Sequence, residues 1–292
     1  MKNSPQSHQA RKRFGQNFLH DQGVIRSIIR AIHPKPGQHL VEIGPGLGAL
    51  TEELLAGCGE LDVVELDRDL IPKLQRQFAS YGDKLSIHQA DALKFDFASL
   101  AEDQRPLRVV GNLPYNISTP LIFHLLSYSG LFEDMYFMLQ KEVVDRLAAL
   151  PGDSAYGRLG IMTQYYCEVS SLFLVSPEAF DPKPKVDSAI VKLRPYAEPP
   201  HPADNVDDFA MVVRVAFGQR RKTLRNNLKK VLPVESIEAL GIDPGLRPEK
   251  LSLLEFVQMA NCYTRMQTET AQPSKTAPTE DQSQQKNPER RS

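Results

Sequence analysis

The stretch Val41-Glu42-Ile43-Gly44-Pro45-Gly46-Leu47-Gly48 decides how the chain is read. An apolar run enters a glycine-rich turn, and a helix-like segment opens just beyond it. Glycines permit tight turning and close approach of a ligand to the backbone. In open α/β sheets, ligands bind at the carboxyl ends of strands. The spacing is G-x-G-x-G, whereas the dinucleotide fingerprint G-x-G-x-x-G needs its third glycine one step later, where this chain has Ala49. Taken alone, the string fits a bare strand-to-helix turn as well as a ligand cradle.

The flanking sequence repeats the alternation. Strand-like runs fall at residues 39–43, 62–66, 84–88, 107–110, 135–139, 172–175 and 189–193. Helix-like patterns fall at 24–32, at 70–78 with Pro72 in the first turn, and at 119–126 and 142–150, and another opens at 50–55. Alternation of this kind predicts an α/β fold with a mostly parallel sheet covered by helices on both faces. Pro195, Pro199, Pro200 and Pro202 mark a linker. Beyond them Phe209, Val212, Val213, Ala216, Phe217, Leu224, Leu228, Val231 and Leu232 keep a helical apolar stripe, and further helices are expected at 237–240 and 251–260. The predicted layout is a basic flexible segment at 1–15, an α/β domain at 16–197, a small all-α domain at 198–266 and a disordered tail at 267–292.

The chain has 292 residues, and its 35 basic and 36 acidic side chains leave a net charge of −1. That balance argues against a globally basic nucleic-acid binder, but the charge is segregated. Residues 211–230 carry Arg214, Arg220, Arg221, Lys222, Arg225, Lys229 and Lys230 and no acid. Cys58, Cys167 and Cys262 are odd in number and far apart, so neither a disulfide framework nor a metal site is expected. No apolar run is long enough to span a membrane, and the start of the chain lacks the apolar core of a signal peptide. A cytoplasmic monomer is the expectation.

Three acids sit at the ends of three successive strands. Glu42 precedes the glycines, Glu65 ends the second strand, and Asp91 follows the third. A carboxylate at the second position can accept both hydroxyls of a ribose. One at the third can accept from an adenine amino group. An acid just before the glycine turn repels a pyrophosphate and suits a cation. The set points to S-adenosylmethionine rather than NAD. The fourth strand ends in Gly111-Asn112-Leu113-Pro114-Tyr115-Asn116. The Asn112 side-chain carbonyl and the Leu113 backbone carbonyl can accept both N–H groups of an exocyclic amine, which localises its lone pair. Tyr115 offers a face on which an extruded base can stack.

These strings, together with Phe14-Gly15-Gln16-Asn17-Phe18-Leu19, Tyr156-Gly157-Arg158-Leu159, Phe180-Asp181-Pro182-Lys183-Pro184-Lys185-Val186-Asp187-Ser188 and Gln219-Arg220-Arg221-Lys222-Thr223, resemble the ribosomal RNA adenine N6-dimethyltransferases. Within that family they are most similar to the bacterial branch acting on small-subunit (16S) rRNA. The resemblance covers roughly residues 11–265. It implies a Rossmann-like class I methyltransferase domain with a seven-stranded sheet. It also implies dimethylation of two adjacent adenosines in the 3′-terminal hairpin loop of 16S rRNA, linked to biogenesis of the small subunit. It carries cofactor contacts onto Asn17, Leu19, Glu42, Gly44, Gly46, Glu65, Asp91 and Asn112. The target adenine falls to Asn112, Leu113 and Tyr115, with Phe180 as a second stacking surface.

Backbone contacts to RNA are expected from Arg220, Arg221, Lys222 and Arg225, read as one face of a helix, from Arg11, Lys12 and Arg13, and from Lys183 and Lys185 beside Phe180. The expected partner is 16S rRNA within an immature small (pre-30S) ribosomal subunit. A different class of function, an RNA-binding assembly factor whose binding matters more than its chemistry, fits the same basic segments. An NAD-linked oxidoreductase is disfavoured by the glycine spacing and by Glu42.

Overall fold

A computed structural model describes residues 16–271 apart from Arg220. The expected basic segment at 1–15, with Arg11, Lys12 and Arg13, lies outside the described residues, as do Arg220 and residues 272–292. The elements run β1 (Phe18–Leu19), α1 (Gln22–Ile32), β2 (His39–Ile43), α2 (Thr51–Cys58), β3 (Leu61–Glu65), α3 (Ile71–Gln77), β4 (Leu85–Gln89), β5 (Leu107–Asn112) and α4 (Ser118–Leu126). There follow β6 (Phe132–Gln140), α5 (Lys141–Ala148), α6 (Arg158–Tyr166), β7 (Cys167–Val175), β8 (Phe180–Asp181) and β9 (Ser188–Pro195). The last part is helical: α7 (Val206–Ala216), α8 (Leu224–Leu228), α9 (Val234–Ala239) and α10 (Leu253–Ala271).

The main sheet has seven strands in the order β4-β3-β2-β5-β6-β9-β7. The first five are mutually parallel, and β9 runs antiparallel to both β6 and β7. β2 and β5 are apolar on both faces because helices cover both: Leu40, Val41, Ile43, Leu107, Val109 and Val110 are all buried. The order reverses between β2 and β5. Connections leave the two strands in opposite directions there and open a crevice at their carboxyl ends. Gly111 makes this close: a Cβ on it would lie 2.8 Å from the Ile43 carbonyl oxygen.

Helix α1 shows why the local sequence folds as it does. Asp21 caps it, accepting from the N–H groups of Gly23 and Val24, and Ile25, Ile28 and Ile32 line one buried face. Its last turn is tied to the sheet by Arg108, whose guanidinium donates to the Ile32 carbonyl (2.7 Å) and to both oxygens of Asp134 (2.8 and 3.1 Å).

Three departures from the sequence reading concern the helices. Helix α6 was not expected. The stripe from Phe209 to Leu232 is not one helix: α7 stops at Ala216, Gly218 turns the chain, and α8 starts at Leu224. Helix α10 continues through Ala271, so residues 267–271, placed in a disordered tail, are helical. The core of the helical part also takes in Tyr156, Ile161, Met162 and Tyr165 from the α6 region, so its packing does not begin at residue 198. Among the described residues no helix is long and apolar enough to cross a membrane.

Candidate active site

A cavity of about 340 Å³ opens at the carboxyl ends of β2, β3 and β5. That lies within the roughly 300–1,000 Å³ of small-molecule sites. Its walls contain Asn17, Leu19, Glu42, Gly44, Gly46, Glu65, Asp91, Asn112, Leu113 and Tyr115, so the structure brings these expected site residues together. Phe180 is the exception.

The glycine turn and the acid of β3 are built into each other. Gly46 has φ +60°, which strains any side chain, and a Cβ there would lie 3.2 Å from the Phe18 ring and crowd it. The Gly46 N–H donates to Glu65 Oε2 (3.3 Å), and the Asp67 N–H donates to Glu65 Oε1 (2.7 Å). Burial raises the Glu65 carboxyl above its usual range, against the pull of those N–H groups. Asp91 is partly buried and accepts the Leu93 N–H on Oδ1 (3.0 Å). The lining also includes Leu66, an apolar side chain left 48% exposed.

Glu42 is 2% exposed and accepts a 2.6 Å hydrogen bond from the Thr51 hydroxyl. Burial pushes its carboxyl up from 4.5 to about 7, the Thr51 bond opposes that, and the charge of Glu65 adds to it. The folded state thus holds this proton more tightly than the unfolded chain. Stability should fall as pH rises from 4.5 to about 7, by roughly 3 kcal/mol in all, and stay reduced above that. Glu42→Gln removes the penalty. In thermal melts the variant should match the parent near pH 4 and exceed it at pH 8. Parallel stability curves across that range would contradict the assignment.

The turn after β5 carries the remaining groups. Asn112 donates from Nδ2 to the Asn17 carbonyl (3.0 Å), which leaves its Oδ1 as the acceptor. The Leu113 N–H is tied to the Met138 carbonyl (3.2 Å), and among the described residues the Leu113 carbonyl accepts no hydrogen bond. The two acceptors therefore lie on consecutive residues at the cavity wall. The Tyr115 hydroxyl sits 2.7 Å from Ser188 Oγ.

Phe180, expected to stack on the target base, does not line this cavity. It is 1% exposed and packs among Leu19, Val175, Ala179 and Ile190. Its strand β8 pairs with β1, setting Leu19 opposite Phe180, and His20 N–H donates to the Ala179 carbonyl (2.9 Å). In this structure its ring supports the segment that carries Asn17 and Leu19. Sequence reading also passed over Gln16, which donates to Asp67 (3.1 Å) and so ties the start of this segment to the end of β3.

The basic residues do not lie along one helix. Arg221 and Lys222 are exposed in the loop between α7 and α8, and only Arg225 is on α8. Asn227 organises this loop, donating from Nδ2 to the carbonyls of Ala216 (2.7 Å), Gln219 (3.2 Å) and Lys222 (3.3 Å). Sequence analysis missed that residue because an Asn inside a predicted helix gives no sign of such a clamp. Lys183 and Lys185 are exposed on the β8–β9 connection, with Lys183 3.9 Å from Glu178.

A seven-stranded sheet of this order, with a glycine turn and carboxylates at its switch point, is a class I methyltransferase fold. A dimethyladenosine transferase from Plasmodium falciparum superposes with a TM-score of 0.71 and 29% identity, over 83% of this chain and 95% of that one. A 23S rRNA methyltransferase, ErmE, superposes with a TM-score of 0.67 and 25% identity, over 85% of this chain and all of that one. The ribosomal RNA adenine dimethylase family matches residues 7–265, and the chain belongs to that family. Among curated relatives, the ribosomal RNA small subunit methyltransferase A of Pseudomonas aeruginosa is 65% identical over 87% of this chain and 94% of its own length. The protein of the same description from Hahella chejuensis is 64% identical over 87% of this chain and 93% of its own.

Proposed function

We propose that this protein uses S-adenosylmethionine to dimethylate the N6 amino groups of two adjacent adenosines in the 3′-terminal hairpin loop of 16S rRNA. It acts as a cytoplasmic monomer on an immature small subunit. The observation that carries this reading is the placement of two acceptors, Asn112 Oδ1 and the Leu113 carbonyl, on the wall of an acid-lined cavity at the switch point. The family and the small-subunit relatives support it.

The residues present fit the cofactor. Gly46 lines the cavity without a side chain, Glu65 suits ribose hydroxyls, Asp91 suits an adenine amine, and the buried Glu42 carboxylate suits a positive charge. When bound, the cofactor supplies an electrophilic methyl group on a positively charged sulfur. The chain's own groups do the rest. Asn112 and Leu113 accept the N–H groups of the adenine amine and direct its lone pair. Tyr115 supports the extruded base. The Tyr115 hydroxyl is held above its usual range by burial, so it stays protonated near neutrality and does not serve as a base. The amine, once alkylated, is acidic enough to lose its proton to water, and positioning supplies most of the acceleration.

Calorimetry separates the cofactor readings: S-adenosylmethionine should bind and NAD should not, and the reverse result would overturn the proposal. Exposed Arg221 is assigned to the RNA backbone. Arg221→Ala should weaken RNA binding at moderate salt and reduce the slope of log K against log salt by about 1. A slope equal to the parent's would remove Arg221 from the phosphate contacts.

A further inference from the structure

The geometry points to Ser188 as a positioning residue for methyl transfer: its hydroxyl fixes the Tyr115 ring in the orientation against which the target adenine stacks. This rests on the reading of Tyr115 as the stacking face.

Tyr115 lies in the irregular segment between Asn112, which ends β5, and Ser118, which opens α4. The turn has a backbone bond from Ile117 N–H to the Pro114 carbonyl, which shapes the main chain and leaves the tyrosine ring free to swing. The ring is half-buried at the cavity wall. The side-chain contact that holds its far end is the 2.7 Å hydrogen bond to Ser188 Oγ.

Ser188 is a rigid anchor. It opens β9, which lies between β6 and β7, and it is paired on both sides, with Gln140 and with Val175. The Lys141 N–H donates to the carbonyl of the preceding Asp187 (2.9 Å), pinning the backbone once more. Its side chain is 0% exposed, and the residues that follow, Ala189, Ile190 and Val191, are all buried. A hydroxyl in such an apolar layer is unfavourable unless it is hydrogen-bonded. Its partner here is Tyr115. The bond also has reach: β5 and β9 are not neighbours, because β6 lies between them. The turn that holds the amine acceptors is thereby tied across β6 to the reversed strand. Because the bond engages the hydroxyl at the ring edge, the ring's π-face stays available to a base.

The experiment is a double-mutant cycle on the full-length protein, assayed on small-subunit rRNA particles with saturating S-adenosylmethionine. Ser188→Ala and Tyr115→Phe should each lower kcat by about tenfold, since misplacement near 1 Å costs up to about 10²-fold. The KM for the particle and the Kd for S-adenosylmethionine should stay within about twofold of the parent, which a general loss of folding would not leave unchanged. The double variant should be no slower than the slower single variant, and Ser188→Thr, which keeps the hydroxyl, should recover most of the rate. Parental kcat in Ser188→Ala, or losses in the double variant equal to the product of the two single losses, would overturn the proposal. Should Ser188→Ala fail to fold, Tyr115→Phe breaks the same bond from the half-exposed side, and parental kcat in that variant overturns it too. Tyr115→Ala tests the underlying reading separately. It should lose at least about 100-fold in kcat, and full activity there would remove Tyr115 from the stacking role whatever Ser188 does.

Discussion

Asn112→Ala is expected to lower kcat for methyl transfer by about 10²–10³-fold, the usual cost of removing one oriented group that acts on the reacting atom. The substitution deletes one of the two acceptors proposed for the adenine amine and leaves the Leu113 carbonyl in place. It also deletes the Nδ2–H that donates to the Asn17 carbonyl (3.0 Å), so the segment that brings Asn17 to the cavity wall loses an anchor. Cofactor affinity should fall a few-fold as a result. Affinity for the RNA should be nearly unchanged, because phosphate contacts supply most nucleic-acid affinity and the exposed basic residues proposed to make them lie outside the Asn112 turn. Single-turnover kinetics with preformed RNA complex separate these effects. A variant with parental turnover would show that the amine is not held by Asn112.

The largest expected loss of stability lies at the opposite end of the same strand. Arg108 and Asp134 are 4% and 5% exposed and form a two-pronged pair, with Gln38 Oε1 (2.8 Å) and the Ile32 carbonyl (2.7 Å) taking the remaining guanidinium bonds. Asp134→Ala leaves that cation buried without its counter-charge; Lys192, 3.7 Å from Asp134, adds a second positive group nearby. Breaking one side of such a pair typically costs about 3–5 kcal/mol. Replacing both partners by apolar residues of similar volume, Arg108→Met with Asp134→Leu, should cost much less. Urea unfolding midpoints check both claims. A single variant as stable as the parent would show that the pair does not tie α1 to the sheet.

Much of the fold was legible because its central strands are short apolar runs bounded by turns. The expected strands at 39–43, 62–66, 84–88 and 107–110 meet β2, β3, β4 and β5 to within a residue or two at each end. What escaped has physical reasons. Helix α6 buries Leu159, Gly160, Ile161, Met162, Thr163 and Tyr165, because it sits between two cores and has no polar stripe to betray its period. Strands β1 and β8 pair over two residues each, too short for any periodicity. The basic loop was read as helix because Phe217, Leu224 and Leu228 keep roughly helical spacing across the break at Gly218.

The candidate site was legible wherever its chemistry is local. The glycines, the strand-end acids and Asn112 all sit on strand ends, and the cavity gathers them. Phe180 shows where local reading stops. An aromatic beside Pro182, Lys183 and Lys185 looks like a surface group, yet pairing of β8 with β1 turns its ring into the core. The hydroxyl of Ser188 carried no signal either, since its partner lies on a turn two strands away.

The central claim is that this chain places two methyl groups on the amino nitrogen of each of two neighbouring adenosines in small-subunit rRNA. Mass spectrometry of the 3′-terminal 16S rRNA fragment from cells lacking the protein tests it most directly. Both nucleosides should be unmethylated at N6, wild-type protein should restore them, and Asn112→Ala should not. Fully dimethylated adenosines in the deletion strain would contradict the account.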